Sequence, residues 1–276
     1  MSTTDFAEFE RSGWARRSGT YDGGFGAMTA GLHEALLDAA GAAPGVRLLE
    51  VGCGTGRLAA GAVARGAEVV ATDGVRQMVA VAAEALPGVR VLHAELPGLP
   101  FPDGGFDAAV GAFVINHVPD PPAAVRELAQ VVRPGGRVAL SCWDTLARNR
   151  AQGVFFDAVT AVGATPPAGL PGASPFARHA APAGFAALLG AAGLTDVRVE
   201  HVTWTHRVDP DRWWRDVLTG TVLTSSLIEG QPAGTLARIR AAYDGLVAAH
   251  APAGGDGTVD LPVAALLAVG TRPERP

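Results

Sequence analysis

The chain has 276 residues, of which 48% are hydrophobic and 18% charged, so it can form a substantial apolar core. The net charge is only −5 and the basic residues are scattered, which argues against nucleic acid as a partner. The polar N-terminus, the lack of a bilayer-length apolar stretch and the presence of only two cysteines predict a cytoplasmic protein without membrane contact or disulfide framework.

The first 44 residues predict a helical cap in front of a sheet. From about residue 27 to residue 40, apolar side chains such as Met28, Leu32 and Leu36 recur on one side, as in an amphipathic helix. Gly41 is well placed to end that helix. A glycine-rich hinge precedes it.

Residues 45–145 alternate short apolar runs with helical patterns, and this alternation predicts right-handed βαβ units on a parallel sheet. The core is therefore expected to be α/β. Strands are predicted at residues 47–51, 68–73, 89–93, 107–113 and 137–142, and helices at residues 55–65, 75–86 and 121–132.

The strict alternation stops after Trp143, and residues 146–276 are expected to form lid helices and closing strands of the same single domain, which would span residues 1–276. Helices are predicted at residues 149–164, 182–192 and 233–249 and from residue 209 onward, and strands at residues 195–208 and 263–270.

A glycine-rich turn follows the first predicted strand. Gly52, Gly54 and Gly56 alternate between that strand and the next helix, where backbone N–H groups can approach a nucleotide-like ligand. Asp73 ends the second strand and suits a pair of ribose hydroxyls. These residues alone fit either a dinucleotide or S-adenosylmethionine.

Five segments, in order along the chain, carry a resemblance. They are residues 48–56 (LLEVGCGTG), 73–78 (DGVRQM), 94–107 (AELPGLPFPDGGFD), 113–120 (FVINHVPD) and 132–137 (VRPGGR). In these the sequence resembles class I S-adenosylmethionine-dependent methyltransferases that act on small molecules. The resemblance implies a Rossmann-like, mostly parallel seven-stranded sheet with helices on both faces, a helical N-terminal cap and lid insertions.

The same resemblance implies a site for S-adenosylmethionine. Glu50 would lie near the methionine amino group, Asp73 would hold the ribose hydroxyls, and Glu95 would accept from the adenine amine. The family usually has Asp where this chain has Glu95. The residues implied to bind the cofactor are Glu50, Gly52, Gly54, Gly56, Asp73, Gly74, Met78, Glu95, Leu96, Ala112 and Phe113.

Transfer of the activated methyl group requires alignment of a nucleophile, exclusion of water and, for some nucleophiles, a base. His117 follows strand four, where ligands collect in parallel sheets, and is the candidate base. His179 and His206 are alternatives in the covering segments, whereas His33 is expected on a solvated or structural position. The candidate acceptor-binding residues are Trp14, Tyr21, His117, Trp143, Phe176 and His179.

The favoured function is methyl transfer to a small, largely apolar acceptor by a monomer or homodimer without a metal. A methyltransferase-like cyclase or other non-methylating biosynthetic enzyme would keep the same cofactor site. An NAD-dependent oxidoreductase and a non-catalytic cofactor sensor are further alternatives.

Overall fold

The computed structural model describes residues 3–253 and 255–274. Seven strands form one sheet in the order β3-β2-β1-β4-β5-β7-β6. The first five strands are parallel, and β7 runs antiparallel to both β5 and β6. The predicted α/β class I methyltransferase fold is confirmed. The strands are β1 Arg47–Val51, β2 Glu68–Asp73, β3 Arg90–His93, β4 Phe106–Gly111, β5 Val132–Trp143, β6 Thr195–Val208 and β7 Val259–Thr271.

Helices cover the sheet and its carboxyl edge. No helix in the described residues is both long and apolar enough to cross a lipid bilayer. The helices are α1 Thr3–Arg17, α2 Phe25–Thr29, α3 His33–Ala40, α4 Arg57–Ala64, α5 Arg76–Ala85, α6 Pro121–Val131, α7 Arg150–Ala161, α8 Pro182–Ala191, α9 Pro210–Gly220, α10 Leu223–Glu229 and α11 Ala233–Ala248.

Apolar side chains fill both faces of the sheet. On one face, Leu36 of α3 and Leu58 of α4 pack with Leu48 of β1. On the other, Leu128 of α6 and Leu189 of α8 pack with strand residues that include Val138 and Leu140. The central strands are buried on both sides, which explains why they read as continuous apolar runs rather than as an alternation.

A separate apolar cluster holds the helices that follow β5. Trp213, Phe155 and Tyr243 are fully buried there and pack with Leu261 and Val263 at the start of β7. The rest of β7 pairs with β5 in the sheet. One strand therefore belongs both to the core sheet and to the covering layer.

Several predicted boundaries were wrong. β5 begins at Val132 rather than residue 137, because Val132 already pairs with Phe106 of β4. β7 begins four residues earlier than predicted, since Val259 pairs with Val208 of β6. The predicted cap helix at residues 27–40 is split into α2, a short 3₁₀ turn and α3, and helices α1 and α10 were not predicted individually.

Candidate cofactor and acceptor site

Local turn chemistry positions the carboxyl edge of the sheet. The glycines at 52, 54 and 56 all adopt a positive φ, of 66°, 54° and 89°. A Cβ on Gly52 would lie 2.4 Å from Val114, and one on Gly56 would lie 2.7 Å from Leu86. A Cβ on Gly54 would meet nothing closer than the ring of Tyr21, at 3.9 Å. Packing within the protein therefore requires the first and third glycines, while Gly54 faces open space.

Asp73 ties the end of β2 to this turn. One carboxylate oxygen accepts from the Gly54 N–H at 2.8 Å, and the other accepts from the Val75 N–H at 2.8 Å. The side chain is buried, and burial raises its pKa to about 6 despite these two hydrogen bonds. Each carboxylate oxygen can accept a further hydrogen bond, as a pair of ribose hydroxyls would require.

Glu50 lies beneath the turn at the end of β1 and is 1% exposed. Its Oε2 has no hydrogen-bond partner among the described residues. Burial, and secondarily the charge of Asp73, raises its pKa to about 8. A buried carboxyl oxygen without a partner, beside a ligand cavity, fits a cationic group such as the ammonium of a bound methionine moiety.

A cavity of about 370 Å³ opens above the turn. Most of the predicted residues line it together. Those predicted to bind the cofactor are Glu50, Gly52, Gly54, Asp73, Gly74, Met78, Glu95, Leu96, Ala112 and Phe113, and those predicted to bind the acceptor are Trp14, Tyr21, His117 and Trp143.

Aromatic rings shape the acceptor side of this cavity. Phe113 has a positive φ of 58°, and its ring stacks on Trp143 with 3.8 Å between ring centroids. Its backbone N–H donates to the Ser141 hydroxyl at 3.0 Å, which holds this strained residue in place. Trp14 meets Tyr21 edge to face at 5.6 Å.

Helix α1 contributes a carboxylate to His117, which sequence reasoning missed. The Nδ1 of His117 lies 2.8 Å from Oε2 of Glu10, and the indole N–H of Trp14 donates to the same oxygen at 2.9 Å. Glu10 is buried and the histidine is one-third exposed. Glu10 and Trp14 are four residues apart on one helix face. That spacing would have indicated the contact between these two residues had α1 been predicted, but not the contact with His117.

The adenine-side acid Glu95 is paired with the same helix. Its Oε1 accepts from Arg11 at 2.8 Å, and Arg11 also pairs with Glu8 at 2.9 Å. These contacts hold the pKa of Arg11 above its usual value. The role of Glu95 toward adenine stays a prediction, since its carboxylate pairs with Arg11 in this structure.

The glycine-rich segment between α1 and α2, here called the strap at Asp22, contacts the glycine turn. Asp22 accepts from the Thr55 hydroxyl at 2.7 Å and from Nη2 of Arg57 at 2.8 Å. Hydrogen bonds from Arg57 lower the pKa of Asp22. The glycine-rich segment between α1 and α2 is therefore fastened to the first residue of α4.

Three predicted site residues lie outside the cavity. Gly56 backs onto α5. Phe176, expected near the acceptor, is buried edge to face against Phe185 of α8, and His179 packs on Phe176. Phe176 belongs to the apolar cluster that also holds residues of α6 and α8. The segment before it does reach the cavity, through Pro171, Gly172 and Ser174.

Two further histidines differ from expectation. His33 lines the cavity, and burial lowers its pKa to about 4. His206 does not line it; the ring packs against Trp213 with 4.5 Å between centroids, and burial lowers its pKa to about 4. Within residues 3–253 and 255–274, no group of three or more metal-ligating side chains comes together.

Part of the chain is similar in sequence to known proteins. Residues 49–140 match the family described as the methyltransferase domain. A demethylmenaquinone methyltransferase from Beutenbergia cavernae is 37% identical over 113 residues, which are 41% of this chain and 47% of that protein. Residues 49–140 are therefore a class I methyltransferase domain.

Solved structures extend the likeness in fold beyond the methyltransferase domain. The YcgJ protein from Bacillus subtilis has a TM-score of 0.55 at 19% identity, covering 88% of this chain and 98% of that one. A [4+2]-cyclase has a TM-score of 0.52 at 18% identity, covering 88% of this chain and 81% of that one.

The segment that matches the methyltransferase domain forms only part of the cavity wall. The chain spans about half the length of the curated relatives it matches. The matched segment supplies the glycine turn, Asp73, Phe113 and His117. Residues before it, such as Trp14 and Tyr21, and residues from Trp143 onward supply the rest of the wall.

Proposed function

We propose that the protein transfers a methyl group from S-adenosylmethionine to a small, largely apolar acceptor. The observation that carries the proposal is one cavity in which Glu50, Gly54 and Asp73 meet an aromatic wall. Their chemistry fits an ammonium, a close backbone approach and a ribose. S-adenosylmethionine supplies an electrophilic methyl group that needs no further activation.

The chain's own residues then have three tasks. Asp73 and the turn hold the cofactor, so that its position relative to the acceptor is fixed. The rings of Trp14, Tyr21 and Trp143 cover the acceptor and exclude water. His117, on the wall between the two parts, accepts a proton from the nucleophile through the ring nitrogen that Glu10 does not engage.

Calorimetry of the purified protein with S-adenosylhomocysteine tests the cofactor assignment. We expect saturable binding with one site per chain and no competition from NADH. Absence of binding would contradict the proposal, and preferential binding of NADH would favour an oxidoreductase.

Product analysis separates catalysis from the alternatives. Methyl transfer produces one S-adenosylhomocysteine for each acceptor converted. Conversion without S-adenosylhomocysteine would indicate a non-methylating enzyme of the same fold, and cofactor binding in a protein that closes no acceptor cavity would favour a sensor.

A further inference from the structure

Among the described residues, each arginine on the cavity wall is already paired with a carboxylate of the protein. Among the described residues, Arg11 and Arg57 are the only arginines that line it, and the chain has no lysine. Arg11 pairs with Glu8 and Glu95, and Arg57 is held by both carboxylate oxygens of Asp22. His33 is half-buried, and desolvation lowers its pKa to about 4, so it is uncharged near neutrality. The described wall has no free cation for a carboxylate or phosphate on the acceptor.

Uncharged donors remain. The amide nitrogens of Asn116 and Gln152, two residues of the cavity wall, are buried and have no partner among the described residues. A buried amide N–H without a partner carries a desolvation cost that an oxygen of a bound molecule would offset. These groups favour an acceptor molecule that carries an oxygen able to accept a hydrogen bond.

Glu10 determines which nitrogen of His117 is free. Its carboxylate accepts from Nδ1 at 2.8 Å, so the proton of the neutral ring lies on Nδ1. The Trp14 indole N–H fixes Glu10 through the same carboxylate oxygen. Nε2 is left as a hydrogen-bond acceptor, with no partner among the described residues.

We propose that the acceptor is an uncharged, apolar molecule whose nucleophile is an acidic hydroxyl, a phenol or an enol, and that Glu10 is the positioning residue that presents Nε2 of His117 to that hydroxyl. This inference rests on the proposed methyl transfer. It assigns a role to a residue of α1, outside the segment that matches the methyltransferase domain.

The proposed step balances. The acceptor O–H bond breaks and its proton passes to Nε2. The oxygen electron pair forms the new bond to the methyl carbon, while the electron pair of the carbon–sulfur bond remains on sulfur and converts the sulfonium to a thioether. His117 then returns its proton to water. Glu10 stabilises the imidazolium in between.

Nitrogen-15 NMR of histidine-labelled protein saturated with S-adenosylhomocysteine tests the positioning role without an acceptor. His117 is assigned by the loss of its signals in His117→Gln. We expect the Nδ1–H tautomer in the neutral ring. Glu10→Gln replaces the carboxylate by an amide that can donate as well as accept a hydrogen bond, so the preference for the Nδ1–H tautomer should weaken.

Glu8→Gln is the matched control. It also removes a carboxylate from α1, but that carboxylate pairs with Arg11 and not with His117. It should leave the tautomer of His117 unchanged. The other ionisable groups on the wall, which include Arg11, Arg57, His33, Glu50, Asp73 and Glu95, are the same in both variants. An Nε2–H tautomer in the wild-type protein, or an equal loss of the Nδ1–H tautomer in the two variants, would overturn the positioning role.

Ligand binding to the same loaded protein tests the acceptor class. We compare 2-naphthol, 2-naphthoate and 2-naphthylmethylammonium, which share one ring system. We expect 2-naphthol to bind at least ten-fold more tightly than either ion. Tighter or equal binding of an ion, or no binding of 2-naphthol, would overturn the assignment.

The two proposals fail in different ways. If S-adenosylhomocysteine does not bind, the proposed function fails. If it binds but the tautomer or the ligand ranking is other than expected, the methyl transfer proposal stands and only the acceptor class and the role of Glu10 are lost.

Discussion

Residue by residue, the glycine turn divides into structural and ligand-facing positions. A side chain at Gly52 or Gly56 would collide with Val114 or Leu86, so substitution there tests folding. Gly54 is different, because a Cβ would enter the cavity without meeting the protein. Its positive φ alone costs a larger residue about 1 kcal/mol.

Gly54→Ala should therefore abolish measurable binding of S-adenosylhomocysteine while the protein stays folded. The added methyl group would occupy the space where backbone and cofactor meet. Calorimetry gives the affinity, and circular dichroism gives the fold.

Gly88→Ala is the control for backbone strain. Gly88 also has a positive φ, of 89°, and a Cβ added there would have no neighbour within 4 Å, but it is remote from the cavity. It should lose similar stability and keep full affinity. Equal affinities in the two variants would contradict the placement of the cofactor.

Glu50 predicts a pH dependence of stability. Its folded pKa of about 8 lies above the ordinary value of 4.5, so the folded state retains the proton over that range and the unfolded state does not. The stability gained from the protonated form is complete below pH 4.5 and is lost as pH rises towards 8. Asp73, with a pKa of about 6, acts in the same direction at lower pH.

Glu50→Gln should flatten the decline between pH 6 and pH 8, because the amide stays neutral. Urea unfolding of the ligand-free protein at both pH values measures the effect. Glu84→Gln, on the exposed face of α5, should retain the wild-type decline. A wild-type free energy of unfolding that does not fall over this range would refute the buried, protonated state.

At the scale of elements, α1 shows where sequence patterns stop being informative. Its apolar residues are few, and Phe6 and Trp14 face a cavity rather than a continuous core, so the helical periodicity is weak. Helix α6, in contrast, begins with Asp120 as a cap that accepts from the Ala123 N–H at 3.0 Å and has proline in its first turn. The helix predicted at residues 121–132 is confirmed as α6, because its start is encoded locally.

The strap at Asp22 makes a prediction about cofactor retention. Asp22→Asn weakens the contact of the segment between α1 and α2 with Arg57 and Thr55. We expect faster amide exchange at residues 20–26 and a three- to ten-fold higher Kd for S-adenosylhomocysteine, roughly 0.6 to 1.4 kcal/mol. Hydrogen exchange and calorimetry measure the two effects.

Asp38→Asn provides the comparison. Asp38 accepts from Arg65 at 2.7 Å on the outer side of α3, so a similar ion pair is lost away from the cavity. Surface pairs contribute about 1 kcal/mol or less, and no change in cofactor affinity is expected. A similar Kd increase in both variants would show that the strap has no specific role.

For the whole molecule, the sequence predicted the part that is locally encoded. Strands β1 to β4, the turn and the residues around Asp73 follow from short-range patterns. The acceptor side followed only in part. Glu10, His33 and Gln152 were not predicted there, because they come from distant segments that only the tertiary fold brings together. Phe176 and His179 were misplaced for the same reason.

The sheet also determines whether the family-matched segment can stand alone. β7 pairs with seven consecutive residues of β5, from Arg137 to Trp143, and its start packs into the covering cluster. Without β7, the buried strand β5 becomes an exposed apolar edge. A fragment of residues 1–145 should therefore aggregate or lack a cooperative thermal transition.

Fragments 1–168 and 169–276, produced together, keep every strand and cut the chain in the irregular stretch between α7 and α8. They should assemble and bind S-adenosylhomocysteine, because the sheet can form across the break. A folded, cofactor-binding 1–145 fragment would show that the core needs neither β7 nor the covering helices. The expected difference between the two experiments follows from the position of β7, since the last strand of the chain lies inside the sheet between β5 and β6.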